Sequence, residues 1–389
     1  MYRNTDIGER WFYGYLFTLW LKITKINLVN FRNYDRVEIK LGNKMNIFIG
    51  NNAQGKTNIL EAITVLALTK SHRVGVSPNI IKFGKKKAII KGVIKKDKII
   101  TKLDVELTDN NKKLLVNKSE IKKVADYISN LNVIVFTPDD LEIIKGSPSI
   151  RRNLLNIQLS QISKIYLNTY NEYNKLLKTR NEYLKVLFSN SIADTKYLDV
   201  ITDKLIEKAV IIYKFRKEYL DSINENINSY YKKITGDEVL SIVYTPNIEF
   251  DNYESEVIRK KLKHQYKKYY QKELNYGMTL YGPHRDDFMF KLNDLDLKFF
   301  GSQGQQKLAI LSYKLSEISI FERICKTSPV ILLDDIFSEL DIRKRNKLLK
   351  LISRDIQSII TTTDLRSINK KYLDDAFIYT VDNGNIIRK

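Results

Sequence analysis

The residues best suited to chemistry are Gly50-Asn51-Asn52-Ala53-Gln54-Gly55-Lys56-Thr57, which match the pattern GxxxxGK[ST]. They stand between a short apolar run, MNIFI, and a helix-forming run, NILEAITVLAL. Such a loop turns its backbone N–H groups inward around a chain of phosphates. Lys56 then reaches the β- and γ-phosphates, Thr57 offers a hydroxyl to Mg²⁺, and the following helix points its positive end at the anion. ATP or GTP is the ligand this chemistry calls for. A metal held at such a loop needs a carboxylate at the tip of a neighbouring buried strand. The run VILLDD supplies two, Asp334 and Asp335, after four apolar residues. Neighbouring strand residues face opposite ways, so the two acids are expected to divide the work. Asp334 is assigned to Mg²⁺, directly or through water, and Asp335 to orienting and deprotonating an attacking water.

A second cluster, Ser302-Gln303-Gly304-Gln305-Gln306, opens a helix with apolar residues at Leu308, Leu311, Leu315 and Ile318. It lies roughly 245 residues beyond the phosphate loop, counted from Thr57 to Ser302. No substrate-like sequence surrounds it, so its partner must come from elsewhere.

The elements that position these groups read as α/β. KITKINLVNF and VEIKL are short strands, MNIFIG is a buried strand entering a glycine turn, and NILEAITVLAL is a helix. KKAIIKGVIKK, KIITKLDVELT and KKLLVN form a basic-faced β-meander, and LNVIVFTP is a buried strand stopped by Pro138. From Pro148 to about Lys233 Gly and Pro nearly vanish and apolar residues recur at helical spacing, predicting two long helices folded back on each other. The lysine-rich VIRKKLKHQYKKYYQKEL is a further helix, and strand-like GMTLYGP, FMFKL, VILLDD, SIITTT and AFIYTV return the chain to α/β. The expected organisation is one discontinuous domain, residues 21–146 with 274–389, and a helical excursion over 147–273. Residues 1–20 are set apart: the aromatic run WFYGYLFTLWL is too short for a membrane span. Three readings stay open for it: a non-native or wrongly assigned start, a segment packing on the domain, and a peripheral membrane contact.

Composition bounds the partners. The 389 residues carry 66 Lys plus Arg against 45 Asp plus Glu, a formal charge of +21, which favours an anionic partner such as nucleic acid. The abundance of Lys, Asn, Ile and Tyr together also fits drift in an AT-rich genome. A single cysteine, Cys325, excludes an internal disulfide, and His72, His264 and His284 form no Cys/His cluster at metal-ligand spacing. A reducing cytoplasm and no membrane association are expected.

Taken in order, FRNYD (31–35), GNNAQGKTNILEAI (50–63), SHR (71–73), PDDLEIIKGSPSIRR (138–152), YGPHRDD (281–287), SQGQQ (302–306), LLDDIFSELD (332–341) and TTTD (361–364) carry a specific resemblance. The chain resembles an ABC-type P-loop ATPase head, a mixed sheet with an antiparallel β subdomain, here with an inserted α-helical arm. Within that class it is similar to the RecF family of bacterial recombination mediators, from about Leu21 to the C-terminus. Some positions depart from the pattern: Leu154 and Asn156 replace an aromatic residue and an Asp, and no role is assigned to them. ABC heads generally have Glu at the place of Asp335 and a switch His where this chain has Thr362, Thr363 and Asp364; the RecF family shares both differences. A shorter acid and no histidine imply slow hydrolysis, fitting a timer.

The resemblance implies ATP and Mg²⁺ as cofactors and an ATP-dependent homodimer packed head to tail. In that arrangement Ser302 donates in trans to the γ-phosphate on the other subunit's loop, with Gln303, Gly304 and Gln305 at the same nucleotide and Lys56 and Asp335 catalytic. Arg32 and Asn33 are expected near the nucleotide. His284 and Arg285 stand between a role at the composite site and a structural one, with Arg285 pairing Asp286 or Asp287. The resemblance further implies binding of duplex and gapped DNA, cooperation with RecR and RecO in recombinase loading, and a place in DNA repair, recombination, replication and the SOS response. Arg259, Lys260, Lys261, Lys263, Lys267 and Lys268, with interleaved tyrosines, are the candidate phosphate contacts, together with the lysine run 85–98. An SMC or Rad50-like head protein and an ABC transporter's nucleotide-binding subunit are the alternatives. The first requires hundreds of heptad residues between loop and signature turn, and the second should be shorter and lack an arm.

Overall fold

The computed structural model describes residues 19–73, 80–189, 194–235, 238–352 and 356–389. The chain divides into two compact units, one of residues up to Pro138 together with Glu317–Lys389, the other Asp139–Ser316. Most of the run 11–21 and of the separated segment 1–20 lies outside the described residues.

In the first unit a six-stranded sheet runs in the order Asn385–Arg388, Phe377–Asp382, Met45–Ile49, Ser358–Thr362, Val330–Asp334, Val133–Phe136. All pairings are parallel except the edge hairpin. Val330–Asp334 and Ser358–Thr362 are buried at every position, as strands covered on both faces must be. A second, largely antiparallel sheet contains Leu19–Phe31, Tyr34–Lys40 and the meander Lys87–Lys96, Ile99–Thr108, Lys112–Val116. The helix Lys56–Leu68 is apolar nearly all round because it shares one core with residues of both sheets. Gly92 marks the closeness of that packing: a Cβ there would meet Leu66 Cδ2 at 2.3 Å. Gln357 ties the layers together, accepting from Ile23 N at 2.7 Å and donating to the carbonyls of Ile23 (2.8 Å) and Gly42 (2.7 Å).

The second unit contains the helices Pro148–Ile162, Lys164–Ser189 and Thr195–Ile234, then Ser255–Lys268 and Tyr270–Tyr276. Where two long helices were expected there are three, because Ser163 leaves helical geometry at φ −137°, ψ 116°. A three-stranded antiparallel sheet, Leu295–Asp296, Asp287–Leu292 and Leu240–Thr245, belongs to this unit. Its middle strand pairs with Leu240–Thr245, and Arg151 bonds Asp287, which carries the YGPHRDD segment into the helical unit. The unit is therefore wider than the expected excursion 147–273. At the other end Leu19 and Trp20, expected to belong to the separate N-terminal segment, extend the first strand and pair in parallel with Thr327 and Ser328.

GMTLYGP forms no strand. Side chains take the place of a ladder there: Asn181 Oδ1 accepts from Thr279 N at 2.7 Å and Glu273 Oε1 from Leu280 N at 2.8 Å. Among the described residues no helix is long and apolar enough to cross a membrane.

Candidate phosphate-binding site and signature turn

The loop Gly50–Thr57 leaves the buried strand Met45–Ile49 and enters the helix that begins at Lys56. Two of its residues need left-handed backbone, Ala53 at φ 64° and Gly55 at φ 108°. Gly55 cannot be replaced cheaply, since a Cβ would also lie 2.5 Å from Asn33 Nδ2. Asn51, Asn52 and Ala53 are exposed, Gly50 and Gln54 half-buried, and Gly55 and Lys56 buried. Lys56 Nζ donates to the carbonyls of Gly50 and Asn51, each at 2.7 Å, so the ammonium sits inside the curl of the loop. Burial pulls its pKa down, opposed by the charges of Asp335 and Asp334.

Thr57 Oγ1 donates to Asp334 Oδ1 at 2.8 Å, and Thr361 Oγ1 donates to the same oxygen at 2.7 Å. Asp334 ends its strand buried, on the strand beside the one carrying Thr361. Hydroxyl and carboxylate side by side form the oxygen donor set that suits Mg²⁺, which takes one or two protein oxygens and completes its shell with water and phosphate. Thr57 and Asp334 are the residues that would hold it. Asp335 falls outside the strand alternation that the sequence suggested. It adopts left-handed geometry at φ 49°, ψ 25°, donating its N–H to Thr361 O at 3.2 Å and Oγ1 at 3.1 Å. The two acids therefore do not face opposite ways as strand neighbours; the charges of both act on Lys56.

The FRNYD turn braces the loop. Asn33 Nδ2 donates to Gln54 O at 3.2 Å and Tyr34 OH to Gly55 O at 3.0 Å. Arg32 makes a different contact, a two-pronged bond to Glu61, one helical turn after Thr57. Glu61 is fully buried, bonded also by Ser71 Oγ at 2.6 Å and approached by Arg73 at 3.6 Å. Despite the opposing effect of burial, these donors hold its carboxyl below the ordinary glutamate range. Arg73 in turn donates to Asn58 Oδ1 at 3.1 Å, and Asn58 to Asn33 Oδ1 at 2.8 Å, closing a ring around the helix start. Sequence reasoning missed Glu61 and Thr361. The available signals were an acid inside an apolar helix with an arginine motif on either side, and a threonine run ending the strand beside VILLDD.

The Ser302 cluster belongs to the second unit. Ser302 Oγ accepts from Gln305 N at 3.2 Å while Gln305 Oε1 accepts from Ser302 N at 2.9 Å, a reciprocal cap that starts the helix at Gln303. Gln305 Nε2 is anchored on Glu238 Oε1 at 2.7 Å. Ser302, Gln303 and Gly304 are exposed. A Cβ on Gly304 would meet nothing nearer than Ser302 Oγ at 3.9 Å, so the fold does not demand glycine there.

The candidate DNA contacts are partly engaged within the unit. Arg259 bonds Glu207 and Glu256 at 2.7 Å, Lys263 pairs with Asp203 at 3.0 Å and Lys261 with Asp251 at 3.6 Å. Lys260, Lys267 and Lys268 are exposed, Lys268 lying over the Tyr269 ring.

Comparisons with known proteins identify the family and the fold. Residues 22–386 match the family model described as RecF/RecN/SMC N terminal domain. The chain is 40% identical over 370 residues to the DNA replication and repair protein RecF of Lactobacillus johnsonii, covering 94% of this chain and 99% of that protein. Among solved structures it is similar to the recombination mediator protein RecF–ATP of the RecFOR pathway, at TM-score 0.87, 31% identity and 95% coverage of this chain and 100% of the other. It shares the fold alone with an Smc head domain from Pyrococcus furiosus, at TM-score 0.55 and 14% identity over 95% of this chain and 96% of that one. With the phosphate loop, the paired acids at the strand tip and the capped Ser-x-Gly-Gln turn in place, the chain belongs to the RecF family and has the fold of an ABC-type ATPase head.

Proposed function

We propose that this protein is an ATP-controlled DNA clamp of recombinational repair and replication restart. The observation that carries the reading is the bond from Thr57 Oγ1 to Asp334 Oδ1, which joins phosphate loop and strand tip into one site for a triphosphate and its Mg²⁺. Bound Mg²⁺ would offset charge on the phosphate oxygens. Lys56 binds the β- and γ-phosphates, and Asp335 orients the attacking water and takes its proton. The short acid at this position supports slow turnover.

The signature turn acts on a second copy of the chain. The exposed Ser302 hydroxyl, the unhindered Gly304 and the capped helix start support closure on the γ-phosphate held by the partner's loop, with Gln303 and Gln305 beside it. A twofold pair then holds two such sites, each built from both chains. The ATP-bound dimer engages duplex DNA beside a single-stranded gap, works with RecO and RecR in loading recombinase on the single strand, and lets go after hydrolysis. The similarity to DNA replication and repair proteins and the charge of +21 support this reading.

Sedimentation with ATP, ADP or no nucleotide, with and without gapped duplex, tests it. ATP should promote dimers, gapped duplex should co-sediment with them, and Asp335→Asn should prolong both. Equal sedimentation in all three nucleotide states would sink the clamp.

A further inference from the structure

Two motifs that the nucleotide site leaves unused, GSPSIRR and YGPHRDD, meet inside the second unit. Arg151 binds Asp287 through both forks, at 2.6 and 2.8 Å. Asp286 is fully buried and accepts from Arg216 Nη1 at 2.9 Å, from Asn247 N at 2.9 Å and from the Tyr244 hydroxyl. Asn156, at a departure from the family pattern, also serves Arg216, accepting from its Nη2 at 3.1 Å. Both carboxylates are thus committed to Arg151 and Arg216.

Arg152 and Arg285 are left over. Arg152, half-buried, donates to the backbone carbonyl of Asp286 at 2.8 Å, which sets its guanidinium beside the residue following Arg285. Arg285 is exposed, and its Nη2 donates to the Met278 thioether sulfur at 3.4 Å. Among the described residues neither forms an ion pair with a carboxylate. The turn carrying Arg285 is held rigid: Gly282 stands at φ 135°, where a Cβ would lie 2.5 Å from Tyr173 OH, and Arg285 N donates to Gly282 O at 2.9 Å. His284 is locked between Tyr173 OH at 2.6 Å and Thr279 O at 3.1 Å. The fixed turn thus presents Arg285 close to Arg152 of the helix Pro148–Ile162, and among the described residues neither guanidinium is bonded to a carboxylate.

We infer that Arg152 and Arg285 form a phosphate-binding pair that takes the backbone of duplex DNA. Guanidinium forks match phosphate oxygens in geometry as well as charge, and a pre-set pair loses little freedom on binding. Burial, with the nearby Arg216 and Arg285, disfavours the charge on Arg152 and outweighs the opposing pull of Asp287 and Asp286, so an incoming phosphate relieves a cost already present. The strand Asp287–Leu292 separates this pair from the signature turn. Leu292 lines the same small depression as Gly301 and Gln305, so the turn sits at the far end of the strand from Arg285. At about 3.3 Å per residue that strand measures roughly 17 Å. A nucleotide phosphate touched by Ser302 lies beyond the reach of Arg285, whereas a duplex carries a charge about every 1.7 Å along its axis and spans such a gap.

The inference rests on the DNA-binding reading and can fail apart from it. Duplex binding by the full chain with ATP, followed by fluorescence anisotropy over a salt series, is compared for the parent, Arg285→Ala and Arg285→Lys; the exposed Arg285 leaves the fold intact. For Arg285→Ala the slope of log K against log salt should fall by about 1 and affinity several-fold, with ATP binding and ATP-driven dimerisation unchanged. Arg285→Lys should restore the slope but only part of the affinity. If the parent binds duplex and Arg285→Ala matches it in affinity and slope, the pair is not a DNA contact. Loss of ATP-driven dimers in Arg285→Ala would assign the pair to the nucleotide interface and overturn the inference. If the parent itself binds no duplex, the clamp reading fails with it.

Discussion

Arg32 and Glu61 are joined by two parallel bonds, Nε to Oε2 at 2.8 Å and Nη2 to Oε1 at 2.6 Å, with the carboxylate fully buried on the helix that follows the phosphate loop. Removing the arginine strands a buried charge that Ser71 and Arg73 only partly offset. Arg32→Ala should therefore lower stability by about 3 kcal/mol in urea unfolding, and adding Glu61→Gln should recover part of that loss. Because the folded state holds Glu61 below its ordinary pKa of 4.5, its contribution is complete above that value and disappears as pH falls through the lower folded one. An Arg32→Ala variant as stable as the parent would contradict the assignment of the pair as a brace.

Lys56 Nζ already rests on the Gly50 and Asn51 carbonyls, so a γ-phosphate finds the ammonium in position. Lys56→Ala removes one or two charge-assisted bonds of about 1.5–3 kcal/mol each and should weaken ATP by a factor of about 10 to 10⁴. Titration with a fluorescent ATP analogue measures this. Tight binding by the variant would mean that the loop does not hold the triphosphate.

The contrast between legible and illegible residues follows from physics. The phosphate loop and VILLDD are legible because their chemistry dictates both residue types and flanking elements. The roles within YGPHRDD are not. His284, Asp286 and Asp287 are satisfied by Tyr173, Arg216 and Arg151, which lie 111, 70 and 136 positions away respectively. Spacing along the chain contains no trace of such pairings. GMTLYGP looks like a strand and is not one for a related reason: its apolar character is real, but Asn181 and Glu273 supply the backbone's partners and no neighbouring strand is needed. Asp335 misleads because the strand ends at Asp334 and left-handed backbone cancels the alternation of side chains.

His284 supplies a pH test of the second unit. Burial and the flanking arginines push its pKa down to about 4, and with Tyr173 donating to Nδ1 its Nε2–H is left to donate to Thr279 O. The folded state therefore prefers the neutral ring, while the unfolded chain protonates near pH 6.5. That contribution is whole above about pH 6.5 and shrinks as pH falls toward about 4, by about 2 kcal/mol between about pH 7 and about pH 5. Denaturation series at several pH values should show this slope in the parent and a reduced one in His284→Gln. An unchanged slope would place the titrating group elsewhere.

Ser302 separates a structural cap from a contact made in trans. Inside its own chain the hydroxyl accepts one backbone bond from Gln305, a cap worth about 1 kcal/mol. Ser302→Ala should therefore cost about that much stability, and Ser302→Arg should cost little more, because the position is exposed. In a head-to-tail pair the outcome differs sharply. An arginine there thrusts a long side chain into the space where the partner's triphosphate closes. Ser302→Arg should bind ATP with the parent's affinity yet sediment as a monomer at concentrations where the parent dimerises. Gly304→Leu should behave the same way, since its own chain offers a Cβ at that position nothing nearer than Ser302 Oγ at 3.9 Å. If either variant dimerises normally with ATP, the turn does not close on a second copy and Ser302 is only the cap of its helix.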